Sequence, residues 1–221
     1  MKRLLTYITI LSMLLTGVAP VAHAQEIIPE VATLTELQTA IEQAEEGDTI
    51  NVTQTIPLSE YVTVGKAGKR VKLVFCGEGV MFQVSGQGNS YMVYLQDLDI
   101  EGGSNGAVAV SDRLVTLFIS GCNIEDFSGS RGGAVMVESG AVNLFQSTFT
   151  NCSASLGGAL YLSSGTFCSI DQCSFSNNNS SAGGGAIYSD TSIEISNSTF
   201  TGNSAGSHGG AIYGFVVRAS R

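Results

Sequence analysis

Two pairs of carboxylates are the first candidates for chemistry: Asp97 with Asp99, and Glu125 with Asp126. Paired carboxylates can divide general acid and base duties on a glycosidic bond, or hold calcium. Arg113 falls between the pairs, and a basic side chain is what a polysaccharide lyase needs as proton abstractor. Asp97 and Asp99 could face one side of a strand, where the side-chain period is two. The plainer reading of all four is surface charge. His208 is the only histidine after residue 24, and it sits among glycines where a solvated loop residue is the simpler expectation. No Lys or Arg occurs between Arg131 and Arg218. Five cysteines complete the inventory: Cys76, Cys122, Cys152, Cys168 and Cys173. Their odd number leaves at least one thiol free. Cys168 and Cys173 have no histidine or second cysteine pair nearby to build a zinc site. These residues define no catalytic set, no metal site and no cofactor, and they leave a ligand-binding site unassigned.

The scaffold that would fix such residues is legible as a repeat. Gly-Gly-Ala-aliphatic occurs at Gly132, Gly157, Gly184 and Gly209, in steps of 25, 27 and 25 residues. Ile100, Ile124, Phe149, Phe175 and Phe200 keep steps of 24, 25, 26 and 25. Five residues before these stand Leu95, Ile119, Leu144, Ile170 and Ile195. Seven before stand Val93, Leu117, Val142, Cys168 and Ile193, and two before stand Leu98, Cys122, Ser147, Cys173 and Ser198. Offsets of seven and five share a strand face, and the change to an even offset predicts a bend before the third set. A period of about 25 residues is too short for a helix pair and suits one coil of a parallel β-helix. Val, Ile, Phe, Tyr, Thr and Ser dominate these segments, and no proline follows Pro57. The alternative solenoid, a leucine-rich repeat, needs a Leu-x-x-Leu-x-Leu line that is missing. The expected fold is therefore all-β, a parallel β-helix.

Each coil must turn where its neighbours turn. Glycine reaches positive φ without penalty, so the Gly pair predicts a stacked corner, followed by a small Ala and an inward aliphatic residue. Asn177 to Asn179 and Asn203 suit left-handed geometry and side-chain ladders between coils. A single coil buries too little to order itself, so stability must come from stacking. Cys122 and Cys173 share a column two coils apart, with Ser147 between. At about 4.8 Å per coil they are about 9.6 Å apart, beyond the ~7 Å reach of a disulfide.

The first 24 residues read as a secretory signal peptide: Lys2 and Arg3, an apolar run from Leu4 to Val18, and Ala22-His23-Ala24 before Gln25. The run is shorter than the ~18 residues a membrane span needs. Its removal takes two positive charges, so a formal charge of −9 becomes −11. Such a chain has no electrostatic reason to seek nucleic acid or anionic lipid. Residues 25–60 are expected to form an N-terminal cap and the first strands. Thr33-x-x-Glu36 opens a capping box, Leu34, Leu37, Ala40, Ile41 and Ala44 follow helical spacing, and Gly47 can end a helix over 33–46. Strands are expected near 49–56, 61–64 and 70–75. Val71, Leu73 and Cys76 read as an earlier turn of the seven-, five- and two-before columns, which leaves Glu78 at an apolar position. Residues 61–221 are expected to form the coils, with the Gly-Gly-Ala repeats in 132–214. The stretch from Gly214 to Arg218 departs from the pattern with no cap after it, which reads as part of a longer protein.

Gly184-Gly185-Ala186-Ile187 and Gly209-Gly210-Ala211-Ile212, with Phe175-x-x-Asn178 and Phe200-x-x-Asn203, resemble the repeats of the chlamydial polymorphic outer-membrane-protein family. Gly132 to Val135 and Gly157 to Leu160 are close variants. At Phe149 the asparagine arrives one residue early, as Asn151, and Cys152 takes its place; the coil at Ile124 lacks both motif residues. The resemblance covers residues 115–214. It implies a right-handed β-helix passenger, exported and displayed at the cell surface, acting in adhesion. The outer-membrane barrel of that family has no counterpart before Arg221, so membrane association would require a region beyond it.

Three functions are weighed. The expected one is an adhesin-like surface that binds an extracellular glycan or a host or cell-surface protein through outward Ser, Thr, Asn and Gln, with Tyr161, Tyr188 and Tyr213 in one column. The others are a polysaccharide lyase or glycosidase and a passive spacer; the chain is not expected to be an enzyme.

Overall fold

The computed structural model describes residues 27–220 except Gln87. The proposed signal peptide, 1–24, lies outside the described residues. All named strand pairings are parallel, and the chain winds as a solenoid of three sheets. The first sheet has eight strands, one per coil, running from Ile27–Val31 to Thr199–Thr201. The second is a short three-stranded sheet formed by Ser153–Leu156, Asn179–Gly183 and Ser204–Ala205. The third has ten strands and contains the long bent strands Val108–Ser120, Val135–Phe145, Ile187–Ser196 and Ile212–Ser220.

The inward columns lie where the spacing puts them. Val93, Leu117, Val142, Cys168 and Ile193 are successive ladder partners, as are Leu95, Ile119, Leu144, Ile170 and Ile195. Ile100, Ile124, Phe149, Phe175 and Phe200 form the column of the first sheet. The Phe149, Phe175 and Phe200 rings stack at 4.8 and 5.0 Å between centroids. All these residues except Phe200 are buried in one core. The bend required before the third column is a left-handed residue in every coil: Asp97, Gly121, Gln146, Gln172 and Asn197, with φ from 46° to 64°.

The Gly-Gly corners form as their recurrence implies. Gly132, Gly157, Gly184 and Gly209 have φ near +60°, and Val135, Leu160, Ile187 and Ile212 stack behind them. The asparagine of Phe-x-x-Asn joins coils from inside. Asn178 is fully buried; its Nδ2 donates to the Phe149 carbonyl (2.9 Å) and its Oδ1 accepts from the Cys152 N–H (2.9 Å). Asn203 repeats both contacts one coil on, at the Phe175 carbonyl and the Asn178 N–H.

Four expectations need correction. Val71 and Leu73 are not members of the Val93 and Leu95 columns. They pair with Leu98 and Ile100, while Val62 and Val64 precede Val93 and Leu95. The early coils differ in length, so the spacing of the later coils does not extend back beyond Ile100, and Cys76 is exposed. The stretch after Gly214 does continue the ladder: Val216 pairs with Ile193 and Ala219 with Ile195, with an irregularity between that hides the spacing. Tyr161 points outward, but the Arg131 guanidinium lies over its ring at 5.1 Å and leaves it only 6 % exposed. Asp97 and Asp99 do not share a strand face. Asp97 is the left-handed corner residue between the strands Tyr91–Gln96 and Leu98–Glu101.

At the N-terminal end the helix Leu34–Gln43 carries the capping box of Thr33 and Glu36, and it packs Leu37, Ala40 and Ile41 into the core. The Lys69 ammonium donates to the carbonyls of Ile41 and Glu42 at the helix C-terminus. An additional strand, Ile27–Val31, precedes the helix and extends the first sheet.

Candidate functional site

Of the carboxylates selected from the sequence, Asp97 and Asp99 are engaged in holding coils together. The Asp99 carboxylate accepts from Arg70 Nη1 and from Asn123 Nδ2, both at 2.7 Å. Arg70 Nη2 donates to the Gly121 carbonyl, so this guanidinium, whose charged form Asp99 favours, ties successive coils. Asp97 Oδ2 accepts from the Gly68 N–H at 2.9 Å. Lys72 pairs with Glu101, whose ladder partner is Glu125. Asp126 occupies the next left-handed corner. Arg113 is exposed on a long strand of the third sheet, away from the first-sheet face that bears these groups. Among the described residues no group of three His, Cys, Asp or Glu is arranged to hold a metal. His208 is exposed, its Nδ1 2.8 Å from Ser207 Oγ.

The cysteines also serve packing. All five are free, and Cys76 alone is exposed. Burial pushes the Cys122 and Cys152 thiols up to about 12 and Cys173 to about 11, with Cys168 also raised. These sulfurs are therefore neutral small hydrophobes. Ser147 stands between Cys122 and Cys173, its hydroxyl accepting from the Cys122 N–H at 3.1 Å.

Outward positions differ sharply between faces. On the first sheet the polar groups bind one another: Asn123 donates to Asp99, Thr148 donates to Asn123, and Thr199 donates to Ser174. The Tyr column stacks regularly, with Tyr161, Tyr188 and Tyr213 at 5.5 and 5.1 Å. The third sheet carries a second aromatic run, in which Tyr61 meets Tyr94 edge-on and Tyr94 stacks on Phe118 at 4.8 Å. In the next two coils that column continues as Asn143 and Ser169. The loss of side-chain volume opens a groove of about 490 Å³, lined by Phe118, Asn143, Phe145, Ser169 and Asp171 among others. Phe145 is 40 % exposed at its edge. The Asp171 carboxylate accepts from Ser196, Asn197 and Gln172, which hold it below the usual carboxylate range.

This groove is not apparent from the inward repeat columns. Its signal was present at offsets of six and four residues before the Phe column, in Tyr94, Phe118, Asn143 and Ser169, and in Gln96, Ser120, Phe145 and Asp171. Outward columns are not uniform in residue type, so they do not announce themselves as the inward ones do.

A family model described as a right-handed beta helix region matches residues 67–219. Neither the curated proteins nor the solved structures include a match.

Proposed function

The chain belongs to the right-handed β-helix family, and from that premise we propose that it is an exported, surface-displayed binding rod, akin to the passengers of the chlamydial polymorphic outer-membrane proteins. The observation that carries this reading is the contrast between its groups. Asp97 and Asp99, the carboxylate pair first considered for catalysis, are tied into inter-coil contacts, while the third sheet offers open polar and aromatic positions. A solenoid face of this kind makes many simultaneous weak contacts with an extracellular glycan or a cell-surface protein. The Gly-Gly-Ala-Ile and Phe-x-x-Asn motifs, with the basic, apolar and small-residue segments of 1–24, support the same assignment. No catalytic step is assigned to the chain.

The test has two arms. Antibodies to the rod are applied to intact cells of the source organism, and labelled full-length chain without residues 1–24 is titrated onto candidate target cells. Surface staining and saturable binding are expected. A spacer would give staining without saturable binding. Product release from a polysaccharide panel, lost in an Asp97→Asn, Asp99→Asn double variant, would replace this reading with an enzymatic one.

A further inference from the structure

We infer that the groove beside Phe118 and Phe145 is a binding site for a neutral oligosaccharide. This deepens the adhesive reading above and rests on it for its biological setting. The groove crosses strands from four successive coils, Tyr91–Gln96, Val108–Ser120, Val135–Phe145 and Phe167–Asp171. Three coil steps make it about 14 Å long, which suits a short oligosaccharide better than a single sugar.

Its chemistry matches a pyranose on three counts. First, the aromatic run stops at Phe118, so the ring face turned toward Asn143 has no ring stacked on it. Phe145 presents a second ring two residues along the same strand as Asn143. An apolar sugar face covers such rings well, because an aromatic ring offers a large rigid surface at low entropic cost. Second, the side chains of Gln96, Asn143 and Ser169 line the groove without a hydrogen-bond partner among the described residues. On the first sheet comparable groups satisfy one another. Free amide and hydroxyl groups beside exposed rings are what a ligand with hydroxyls and C–H faces requires.

Third, charge selects among ligands. The groove holds one ionised group, Asp171, in a chain of formal charge −9. Uronates and sialylated glycans meet repulsion there. Asp171 accepts from three neutral side chains that fix its orientation, and a sugar hydroxyl can share a remaining lone pair.

The experiment applies the full chain without residues 1–24 to an array of neutral hexose and N-acetylhexosamine oligosaccharides beside uronate and sialylated ones. Saturable binding to neutral members is expected, at least tenfold stronger than to any acidic one. The best neutral oligosaccharide is then titrated against two variants. Asn143→Phe continues the aromatic column and fills the groove, so it should keep the thermal melt while weakening binding at least tenfold. Phe145→Ala, at an exposed position, should weaken binding without altering the fold. Binding only to acidic glycans, no binding to neutral ones, or unchanged affinity in a folded Asn143→Phe overturns the site. A blank array with persistent cell binding removes this site and leaves the adhesive reading standing. Glycan binding without cell binding keeps the site and removes the adhesive reading.

Discussion

Gly157 and Gly158 are adjacent and are required for different reasons. Gly157 sits at φ +62°, where a residue with a side chain is strained, and a Cβ there would also overlap the nearby Leu160 carbonyl. Gly158 has an ordinary φ, but a Cβ there would overlap the Gly185 carbonyl oxygen and the Asn179 backbone of the next coil. The first reason could be read from the recurrence of the pair. The second could not, because the obstructing atoms lie a whole coil away along the chain. Gly165 provides the control: φ is +79°, and a Cβ added there would meet nothing within 4 Å. Gly165→Ala should cost about 1–2 kcal/mol from backbone strain alone. Gly158→Ala should cost about 4 kcal/mol or more, because backbone must move in two coils. Urea unfolding of both variants checks the order, and equal losses would contradict the close approach at Gly158.

The helix Leu34–Gln43 shows how an element is tied to the rod by polar groups at its ends and apolar groups along its side. Glu36 accepts from the backbone N–H groups of Ala32 and Thr33, which hold its carboxyl below the usual glutamate range. A carboxyl lowered in the folded state stabilises that state above its unfolded value and ceases to do so as pH falls through the folded value. Helix protection from hydrogen exchange should therefore decline as pH drops below about 4.3. Glu36→Gln should remove that pH dependence; an unchanged pH profile would show that another group governs it. Helix and capping box were legible because their signals are local. The strand Ile27–Val31 was not, since Pro29 interrupts its β pattern and its pairing with Thr49–Val52 is not local. The misplacement of Val71 and Leu73 has a similar origin: Ile50 to Leu73 is 23 residues and Leu73 to Ile100 is 27, so no constant period carries backwards.

For the whole molecule, stacking makes the core one continuous body from Val31 to Ile195. Buried thiols sample that continuity at Cys122, Cys152, Cys168 and Cys173, with Cys76 exposed. A thiol reagent at neutral pH should label one cysteine rapidly in the folded chain and all five in denaturant, counted by intact mass. Rapid labelling of two or more would mean that coils open singly rather than with their neighbours. The inward columns that make this core were legible because burial restricts residue type in every coil. The Phe118–Phe145 groove was not, because solvent-facing positions vary freely and only their register reveals a neighbourhood. The same tolerance appears in chain length. Leu162 to Cys168 is six residues where Val137 to Val142 is five, and the extra residue lies at the bend around Ser163 to Thr166. Insertions are thus absorbed outside the stacked columns. A recombination event that duplicated about 25 codons would splice in one entire coil whose upper and lower contacts copy those already made, so such a gene can lengthen its product in whole rungs without inventing a new core.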